Sequence, residues 1–348
     1  MDTVRLGIVG LGFGQRHVET AGGLEGVRVA AVADNRPVGG KTPVADYARG
    51  IGAAGYDDGA RMIAEADLDA VDLVVAPKFR EPLLEAAAKR RLPVLMEKPM
   101  AVSVAQAERF ARIVADAGIP LMIEYPMRFY PAIRRARELL YDGPLGKPWN
   151  VEGSLQTFWN PPAGHWTWDA DNAGGLINEC GCHLLDTLCF LCGSPSSVYA
   201  IGGNVMQLGG QPDTAAMVLR FDSGCTGVAN VGGLGTWAMG VPMQVRIFAE
   251  NGEVRVRGND WTCDTVDWSL RGWDAKLKTE THPAPPREEL LRCNMAEFLR
   301  VVREGIEPPC GLADGLRVQR LIAAVVESIR TGRQANVQAD GCAWENRP

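Results

Sequence analysis

Leu95-Met96-Glu97-Lys98-Pro99 is the stretch around which the chain is arranged. It ends a short apolar run, Leu92 to Met96, of the kind that forms a buried parallel strand. A lysine directly after such a strand lies at the carboxyl edge of the sheet, where open α/β sheets bind their ligands. The proline that follows has no N–H and a fixed φ, so the strand ends here in a restricted backbone. We therefore place Lys98 at the functional edge of a parallel sheet.

A glycine turn lies upstream, after a first predicted strand from Val4 to Val9. Its sequence is Gly10-Leu11-Gly12-Phe13-Gly14-Gln15. Glycines allow a tight turn here and let backbone N–H groups reach a pyrophosphate at the start of the next helix. A full G-x-G-x-x-G would have glycine at position 15, but Gln15 stands there and Gly14 comes one residue earlier. The pattern predicts a dinucleotide turn that is one residue tighter than usual.

Asp34 ends the second predicted strand, Val27 to Ala33, 24 residues after Gly10. A carboxylate at this position accepts hydrogen bonds from both ribose hydroxyls and repels a 2′-phosphate, which favours NAD over NADP. Arg36, two residues later, keeps NADP open. The structural alternative is that Asp34 caps the turn Asp34-Asn35-Arg36-Pro37.

Strands and helices alternate up to about residue 125. Further strands are predicted at 70–76, 92–96 and 119–125, and helices at 83–90 and 104–117. This alternation predicts a Rossmann domain over residues 1–125, with a doubly wound parallel sheet. Segments of alternating polarity follow, at 151–155, 215–221, 241–249 and 253–257, before helical periodicity returns at 289–304 and 314–331. We expect an α+β domain over residues 126–348, with a mostly antiparallel open sheet and a last helix that packs back on the body.

Composition excludes several classes of protein. The 348 residues are 46% hydrophobic and 22% charged, as in globular proteins, and they suggest two domains. A net charge of −6 argues against nucleic-acid binding. No apolar run approaches the ~20 residues of a membrane span. The N-terminal residues carry no signal-peptide pattern, so a cytoplasmic location is expected. The nine cysteines, Cys189 and Cys192 of a C-x-x-C among them, are expected to be buried and reduced, without a metal.

Residues 158–169 form a loop dense in tryptophan, proline and glycine. Trp159, Trp166 and Trp168 can stack on the apolar face of a sugar ring, with Asn160, His165 and Asp169 bonding its hydroxyls. The alternative is that these rings close a small core under the loop. Both alternatives stay open, since each can hold for a different tryptophan.

A second polar motif begins at Gly174-Gly175. In the predicted helix that follows, Glu179 and His183 are four residues apart and share a face. A carboxylate beside an imidazole sets its tautomer and favours its charged form, and such a pair suits proton transfer to or from an alcohol. The alternative is an ordinary core histidine. His17 and His282 are predicted to be non-catalytic.

Together these motifs resemble the Gfo/Idh/MocA family of nicotinamide-dependent sugar and polyol oxidoreductases. The matching residues are Gly10-x-Gly12, Glu97-Lys98-Pro99, Arg128-Phe129, Gly174-Gly175, Glu179-x-Gly181-x-His183 and the closing helix around 326–333. The resemblance covers nearly the whole chain. It implies a Rossmann domain, a second domain whose open sheet often mediates oligomerisation, and chemical roles for Lys98 and His183.

These patterns and the resemblance assign residues to three roles. The catalytic residues are Lys98, Glu179 and His183. NAD, with NADP left open, is assigned Gly10, Gly12, Phe13, Gly14, Asp34, Asn35, Arg36, Ala76, Pro77, Glu97 and Lys98. The substrate is assigned Lys98, Arg128, Trp159, His165, Trp166, Glu179 and His183. The chain departs from the family at the shortened glycine turn, at Ala76 to Glu81 where Thr-Pro-Asn-x-x-His is usual, and at Glu179, where aspartate is usual.

The expected reaction is reversible hydride transfer between the nicotinamide and a ring carbon of a sugar, cyclitol or related polyol. His183 would take the hydroxyl proton as a general base, and Lys98 would stabilise the charge that develops on the oxygen. Exchanged roles for these two residues stay open. Two other readings are a non-catalytic nucleotide and sugar sensor, and an enzyme that keeps its cofactor as an internal redox shuttle. A homo-oligomer, dimer or tetramer, is expected.

Overall fold

The computed structural model describes residues 3–159, 161–162, 164–172, 174–207, 209–239, 243–258 and 262–337. The chain divides into two compact units. The first comprises Met1–Ala101, Ala105–Tyr125 and Pro286–Leu316, and the second comprises Val102–Val104, Pro126–Pro285 and Arg317–Pro348. The chain therefore returns to the first unit after residue 285, whereas the sequence suggested a single boundary after residue 125.

The first unit contains a six-stranded parallel sheet. Its strands are β1 (Val4–Val9), β2 (Val27–Ala33), β3 (Ala54–Tyr56), β4 (Ala70–Leu73), β5 (Val94–Glu97) and β6 (Leu121–Glu124). They lie in the order β3-β2-β1-β4-β5-β6, and each neighbouring pair is parallel. The central strands are largely apolar and buried, apart from Arg5 in β1 and Asp72 in β4, as expected for a sheet covered on both faces. The strand order reverses between β1 and β4, which is where doubly wound sheets bind nucleotides. The predicted Rossmann sheet is confirmed.

Helices flank this sheet in the first unit. They are α1 (Gly14–Gly22), α2 (Val44–Gly50), α3 (Gly59–Glu65), α4 (Glu81–Lys89) and α5 (Val104–Ala117). The predicted bounds of β1, β2 and α5 agree with the structure, whereas β4, β5 and β6 are shorter than the apolar runs that predicted them. Apolar residues continue past these strands because the segments that follow the strands are themselves largely buried.

The second unit contains a nine-stranded sheet. Its strands are β7 (Pro148–Gln156), β8 (Pro195–Gly203), β9 (Thr214–Phe221), β10 (Thr226–Gly232), β11 (Met243–Ala249), β12 (Gly252–Arg257), β13 (Thr265–Leu270), β14 (Lys278–Thr281) and β15 (Ala335–Asn336). They lie in the order β14-β13-β12-β11-β7-β10-β9-β8-β15. β7 and β10 pair in parallel, and the other neighbours are antiparallel. The predicted mostly antiparallel sheet is confirmed.

One face of the second sheet is packed and the other is open. Helices α6 (Pro131–Tyr141) and α7 (Cys182–Cys192) contact the packed face, through β12 and β7 respectively. Along β9 and β10 buried residues alternate with exposed ones, as expected for a sheet covered on one side. The open face carries exposed apolar side chains.

Two long helices close the chain, α8 (Arg287–Glu304) and α9 (Leu312–Thr331). Within the first unit α8 packs against α1, and its Arg303 donates to the carbonyl oxygen of Gly26 (2.6 Å). α9 begins in the first unit and continues in the second. None of the helices that the structure describes is long and apolar enough to cross a bilayer.

Candidate functional site

The glycine turn between β1 and α1 has backbone geometry typical of a dinucleotide-binding turn. Gly10 has a φ of +94°, and a Cβ there would lie 2.4 Å from the carbonyl oxygen of Val74, so only glycine fits. At Gly12, no heavy atom of the described chain lies within 4 Å of the Cβ position, which leaves room for a ligand. Gly14 begins α1, and its Cβ position lies 3.5 Å from the side chains of Ile8 and Val74. It therefore does the packing work of the usual third glycine, one residue early.

Asp34 connects the end of β2 to this turn. Its Oδ2 accepts the backbone N–H of Leu11 (2.7 Å), and its Oδ1 accepts that of Arg36 (2.9 Å). The capping role that the sequence offered as an alternative is therefore present. Each carboxylate oxygen keeps a second lone pair, so the caps do not prevent hydrogen bonds to ribose hydroxyls. The Asp34 side chain is 9% exposed and that of Arg36 is 80% exposed.

The remaining residues assigned to the cofactor lie on either side of this turn or after β4. Phe13 is partly exposed, with its ring edge on to the imidazole of His17 at 5.4 Å between centroids, and Asn35 is exposed. Ala76 precedes a short 3₁₀ turn, Pro77–Phe79. With an open glycine turn, a helix N-terminus and a carboxylate at the end of β2, the first unit has groups of the kind that can bind a dinucleotide.

Arg80 is a buried cation that sequence reasoning missed. Its Nε donates to the carbonyl oxygen of Val75 (2.9 Å), and its Nη1 donates to those of Pro99 and Met100 (3.2 Å to Met100). It thereby joins the end of β4 to the segment directly after Lys98. The sequence around Arg80 does not distinguish it from a surface arginine, because its partners are backbone carbonyl oxygens, which every residue has.

Behind Lys98 lies a second feature that the sequence did not reveal, the His17 cluster, which consists of His17, Asp72, Glu97 and Glu124. His17 on α1 is fully buried, and its Nδ1 lies 2.7 Å from Oδ2 of Asp72 in β4. Its Nε2 lies 3.5 Å from Oε1 of Glu97 and 3.7 Å from Oε2 of Glu124. The two glutamates are register partners at the ends of β5 and β6. One sequence signal existed, since an acid inside the apolar run of β4 needs a buried partner.

Three members of the His17 cluster, His17, Glu97 and Glu124, have shifted pKa values. Burial opposes a charge on His17, but Asp72, Glu124 and Glu97 outweigh it and raise the pKa of the imidazole to about 12. Burial also opposes ionisation of Glu97, yet His17, Lys98 and Arg80 together lower its pKa. For Glu124, burial and the neighbouring carboxylates of Glu97 and Asp72 raise the pKa well above its usual value. These shifts favour an imidazolium at His17, a carboxylate at Glu97 and a carboxylic acid at Glu124 at neutral pH.

In the second unit, a glycine pair introduces the histidine helix. Gly174 and Gly175 have φ values of +74° and +82°, and their Cβ atoms would lie 2.7 Å from Asn178 and 2.4 Å from Gln211. The chain then forms a π-helical turn, Ile177–Gly181, before α7 begins at Cys182. The spacing predicted a regular α-helix through this region. A shift of backbone hydrogen bonds leaves no trace in hydrophobic periodicity, and π-helical turns are frequent at functional sites.

This turn and helix carry the predicted catalytic pair. Glu179 lies in the π-helical turn and His183 in the first turn of α7, and both side chains are 8% exposed. The backbone N–H of Glu179 donates to the carbonyl oxygen of Gly175 (2.9 Å), which ties the turn to the glycine pair. Both side chains are therefore nearly buried on one continuous helical segment.

Arg128, assigned to the substrate from the sequence, forms a buried ion pair in the second unit. Its Nε donates to Oδ2 of Asp186 (2.9 Å), and its Nη2 donates to Oδ1 (2.6 Å), while its guanidinium lies 5.1 Å from the ring centre of Phe190. Asp186 lies on α7, three residues after His183. The pair therefore fixes the short turn Pro126–Phe129 to the helix that carries His183.

The tryptophan loop divides between a core and a surface. Trp168 is 7% exposed, packs with Leu176 and Cys180, and donates from Nε1 to the carbonyl oxygen of Pro161 (3.1 Å). Trp159 packs against this cluster and is partly buried. Trp166 is 45% exposed. Each alternative from the sequence therefore fits a different ring, since Trp168 closes a core and Trp166 is the ring open to a ligand.

Two polar residues of this loop were also assigned or considered. His165 begins the 3₁₀ turn Trp166–Trp168, and its Nδ1 lies 2.9 Å from the hydroxyl of Thr167. Asp169 accepts hydrogen bonds from the backbone of Asp171 and the side chain of Asn172. Asn160 lies outside the described residues.

The eight cysteines that the structure describes are free thiols, as predicted. Seven are buried, Cys189 and Cys192 of the C-x-x-C among them, and Cys293 is intermediate. They serve as small apolar residues of the core.

Two family models match this chain. The model described as the oxidoreductase family with an NAD-binding Rossmann fold matches residues 4–129, and the Gfo/Idh/MocA C-terminal domain model matches residues 133–255. Their order along the chain is that of the two sheets.

Relatives with assigned activities are sugar and cyclitol dehydrogenases. D-apiose dehydrogenase of Paraburkholderia graminis is 25% identical over 95% of this chain and 89% of its own. Inositol 2-dehydrogenase of Rhizobium meliloti is 23% identical over 96% of this chain and 99% of its own. An NADP-dependent D-xylose 1-dehydrogenase of Haloferax volcanii is 28% identical over 78% of this chain and 81% of its own.

Solved structures share the fold over nearly the whole chain. Levoglucosan dehydrogenase in complex with NADH and L-sorbose superposes with a TM-score of 0.85 at 20% identity, covering 97% of this chain and 100% of that one. An NAD-binding oxidoreductase from Klebsiella pneumoniae gives a TM-score of 0.86 at 20% identity, with 97% and 100% covered. This chain is an NAD-binding oxidoreductase of the Gfo/Idh/MocA family.

Proposed function

We propose that this protein catalyses reversible hydride transfer between NAD and a ring carbon of a sugar, cyclitol or related polyol. The observation that carries the proposal is the arrangement of the first unit. The glycine turn, whose Leu11 N–H donates to Asp34, lies where the strand order of the sheet reverses. Lys98 follows the end of β5 at the same carboxyl edge of the sheet. The named relatives act on apiose, xylose and inositol, which supports this substrate class.

The protein supplies binding, position and proton chemistry. A bound nicotinamide would supply the hydride acceptor or donor. His183 takes the hydroxyl proton as a general base, Glu179 orients it or binds a neighbouring hydroxyl, and Lys98 stabilises the negative charge that develops on the oxygen. The exchanged assignment, with Lys98 as proton carrier, stays open. Trp166, the most exposed tryptophan of its loop, stacks on the sugar.

The test is turnover of a panel of sugars and cyclitols with NAD and with NADP. Lys98→Ala and His183→Ala are each expected to lower kcat by about 10²- to 10⁴-fold, because each removes a group that acts in the transition state. Lys89→Ala and His282→Ala are the matched controls, since neither residue belongs to the proposed site. They should keep the wild-type kcat. A normal kcat in Lys98→Ala or His183→Ala would refute the role of that residue.

The same panel decides between an enzyme and a sensor. If NAD binds tightly and no member of a broad panel is turned over, the non-catalytic reading replaces the proposal. If nicotinamide stays bound through purification and exchanges no faster than turnover, the internal redox shuttle gains support.

The choice of cofactor is tested at Asp34. We expect NAD to bind more tightly than NADP, because the Asp34 carboxylate repels a 2′-phosphate. Asp34→Ala should abolish this preference, as measured by calorimetry on protein stripped of nucleotide. Asp34→Ala also removes the acceptor of hydrogen bonds from the backbone N–H groups of Leu11 and Arg36. Arg36→Ala, which retains Asp34, is therefore the companion variant. Tight NADP binding by the wild type would contradict the proposal.

We also propose that the open face of the second sheet joins copies of this chain. Tyr199, Val218 and Val228 are register neighbours across β8, β9 and β10, and all three are exposed, as is Ile201 beside them. An apolar row of this kind marks an interaction surface. Val218→Lys should shift the protein to a smaller species in sedimentation, whereas Glu85→Lys on the exposed side of α4 should not. A wild-type monomer would refute this.

A further inference from the structure

The segment before Lys98 ends in Glu97, and the surroundings of Glu97 decide the charge next to that lysine. The charged groups that face Glu97 come from every element packed around it. They are His17 of α1, Glu124 of β6, Arg80 from the turn before α4, and Lys98 itself, while Asp72 of β4 faces His17 from the other side. Three acids and two cations are thus gathered next to Lys98, the predicted active-site residue.

We propose that His17 is a positioning residue, whose imidazolium, anchored by Asp72, keeps Glu97 ionised beside the ammonium group of Lys98. This inference rests on the proposed role of Lys98 in hydride transfer. It gives a function to a histidine that sequence reasoning set aside, and to Asp72, which no sequence motif includes.

The geometry determines the direction in which His17 acts. Asp72 holds the ring through Nδ1 at 2.7 Å, and the Phe13 ring packs against the imidazole at a steep angle of 74°. With its ring fixed in this way, Nε2 is directed at Glu97 and Glu124, at 3.5 and 3.7 Å. The whole ring is buried, so water does not screen its charge from the two glutamates.

Glu124 completes the cluster as a neutral group. Two carboxyl groups in contact cannot both ionise at low cost, and one of them keeps a proton. Glu97 is the ionised member, because Lys98 and Arg80 face it, and Glu124 is the protonated member, hydrogen-bonded to Glu97. A change at Glu124 that keeps it neutral should therefore leave the charge at Lys98 as it was.

The same atoms also resemble a three-ligand metal site, since Nε2 of His17 and one oxygen each of Glu97 and Glu124 lie within 4.8 Å of one another. Two features favour a protonated His17 over a metal ion bound by these three residues. Arg80 and Lys98 already face Glu97 and would repel a dication. A metal also needs a neutral imidazole, whereas three acids surround this one and favour its protonated form.

Three variants test the proposal. His17→Gln keeps a donor near Nε2 but removes the charge, Glu97→Gln removes the carboxylate itself, and Glu124→Gln replaces a neutral acid by a neutral amide of the same shape. In His17→Gln, Glu97 loses its main cation, and burial then raises its pKa. We expect kcat to fall about tenfold per pH unit below about pH 7 in this variant and to recover by about pH 9.

Wild type and Glu124→Gln should share one profile over the same range, without the additional acid limb of His17→Gln, and Glu97→Gln should be impaired at every pH. A purely structural role for His17 would lower kcat or stability without a new acid limb. Parallel pH profiles of His17→Gln and wild type would therefore overturn the proposal. If no substrate is found, the same acid limb is measured on NADH affinity, so that failure of the proposed function is distinguishable from failure of this inference.

The charge of His17 can be measured without any substrate. In protein labelled with ¹⁵N-histidine, the side-chain resonances of His17, assigned by their loss in His17→Gln, should show an imidazolium up to at least about pH 9. Glu124→Gln should retain it. A neutral His17 at neutral pH overturns the proposal. So does binding of Zn²⁺ or Mn²⁺ to chelator-treated protein, if it deprotonates His17 and is lost in Glu124→Gln.

Discussion

The His17 cluster of the first unit and the Arg128–Asp186 pair of the second unit both bury charge, and they do so in opposite ways. Arg128 and Asp186 form a closed, bidentate pair in which the cation cannot lose its proton. The His17 cluster instead surrounds one titratable cation with three acids, one of which stays protonated. The Arg128–Asp186 pair stabilises the structure at any pH, whereas the His17 cluster can also take up and release protons. The arrangement in the His17 cluster suits a position next to Lys98, whose charge matters in the proposed reaction.

The largest effect is expected when the closed pair is broken. Arg128→Met leaves Asp186 buried without its bidentate partner, which should lower the free energy of unfolding by about 3–5 kcal/mol. The loss should be equal between about pH 6 and 9, because arginine does not titrate there. Urea unfolding at several pH values measures it.

The double variant Arg128→Met with Asp186→Leu is the control. Replacement of both charges by apolar groups should recover most of the loss, since a buried pair stabilises little more than good packing does. A loss in Arg128→Met that varies strongly with pH would mean that the two regions do not differ as described.

The His17 cluster should give the opposite behaviour, an effect that changes with pH and is smaller over any one pH unit. The pKa of His17 is about 12 in the folded chain against 6.5 for an unperturbed histidine. The folded state therefore holds an extra proton between these values. The stabilisation is complete below the lower value and is lost as the pH rises through the upper one.

The measurement is the difference in unfolding free energy between wild type and His17→Gln. Between about pH 8 and 10, wild type should lose about 1.4 kcal/mol per pH unit relative to the variant. Groups whose pKa values the substitution leaves unchanged cancel in this difference, and above about pH 9 Glu97 is ionised in both folded proteins, so the slope there reports His17. His282→Gln, at a partly exposed histidine, should show no such slope. Parallel stability curves for wild type and His17→Gln would show that His17 is neutral.

The sequence predicted the fold wherever one local pattern was sufficient. Continuous apolar runs between glycine turns identified the parallel sheet, and alternating polarity identified the second sheet. β1, β2 and α5 were predicted to the residue because a turn glycine, an acid or a capping serine marks their ends. β4, β5 and β6 were predicted too long, because apolar residues continue into buried loops, whereas β7, β9 and β12 were predicted too short.

The candidate site was predicted only in part, for a reason of distance along the chain. Lys98 and His183 were found because each follows a local motif, and their roles remain predictions. Asp72, Glu97 and Glu124 lie on three different strands, and they meet His17 only when the sheet register is fixed. Arg128 and Asp186 are separated by 58 residues and gave no local pattern. Buried charge networks of this kind depend on how the strands and helices are arranged in the fold, which local sequence patterns do not show.

The smallest effect is expected for Glu124→Gln. At about pH 4 a free glutamate is mostly protonated, and the exchange of a buried acid for a buried amide should change the unfolding free energy by no more than about 1 kcal/mol. Above that pH the sign is informative. The folded wild type must keep a proton that its unfolded chain releases, so wild type loses stability as the pH rises, while the amide does not. Glu124→Gln should therefore become the more stable protein toward neutral pH, and a variant that instead loses stability relative to wild type as the pH rises would show that Glu124 is ionised in the fold.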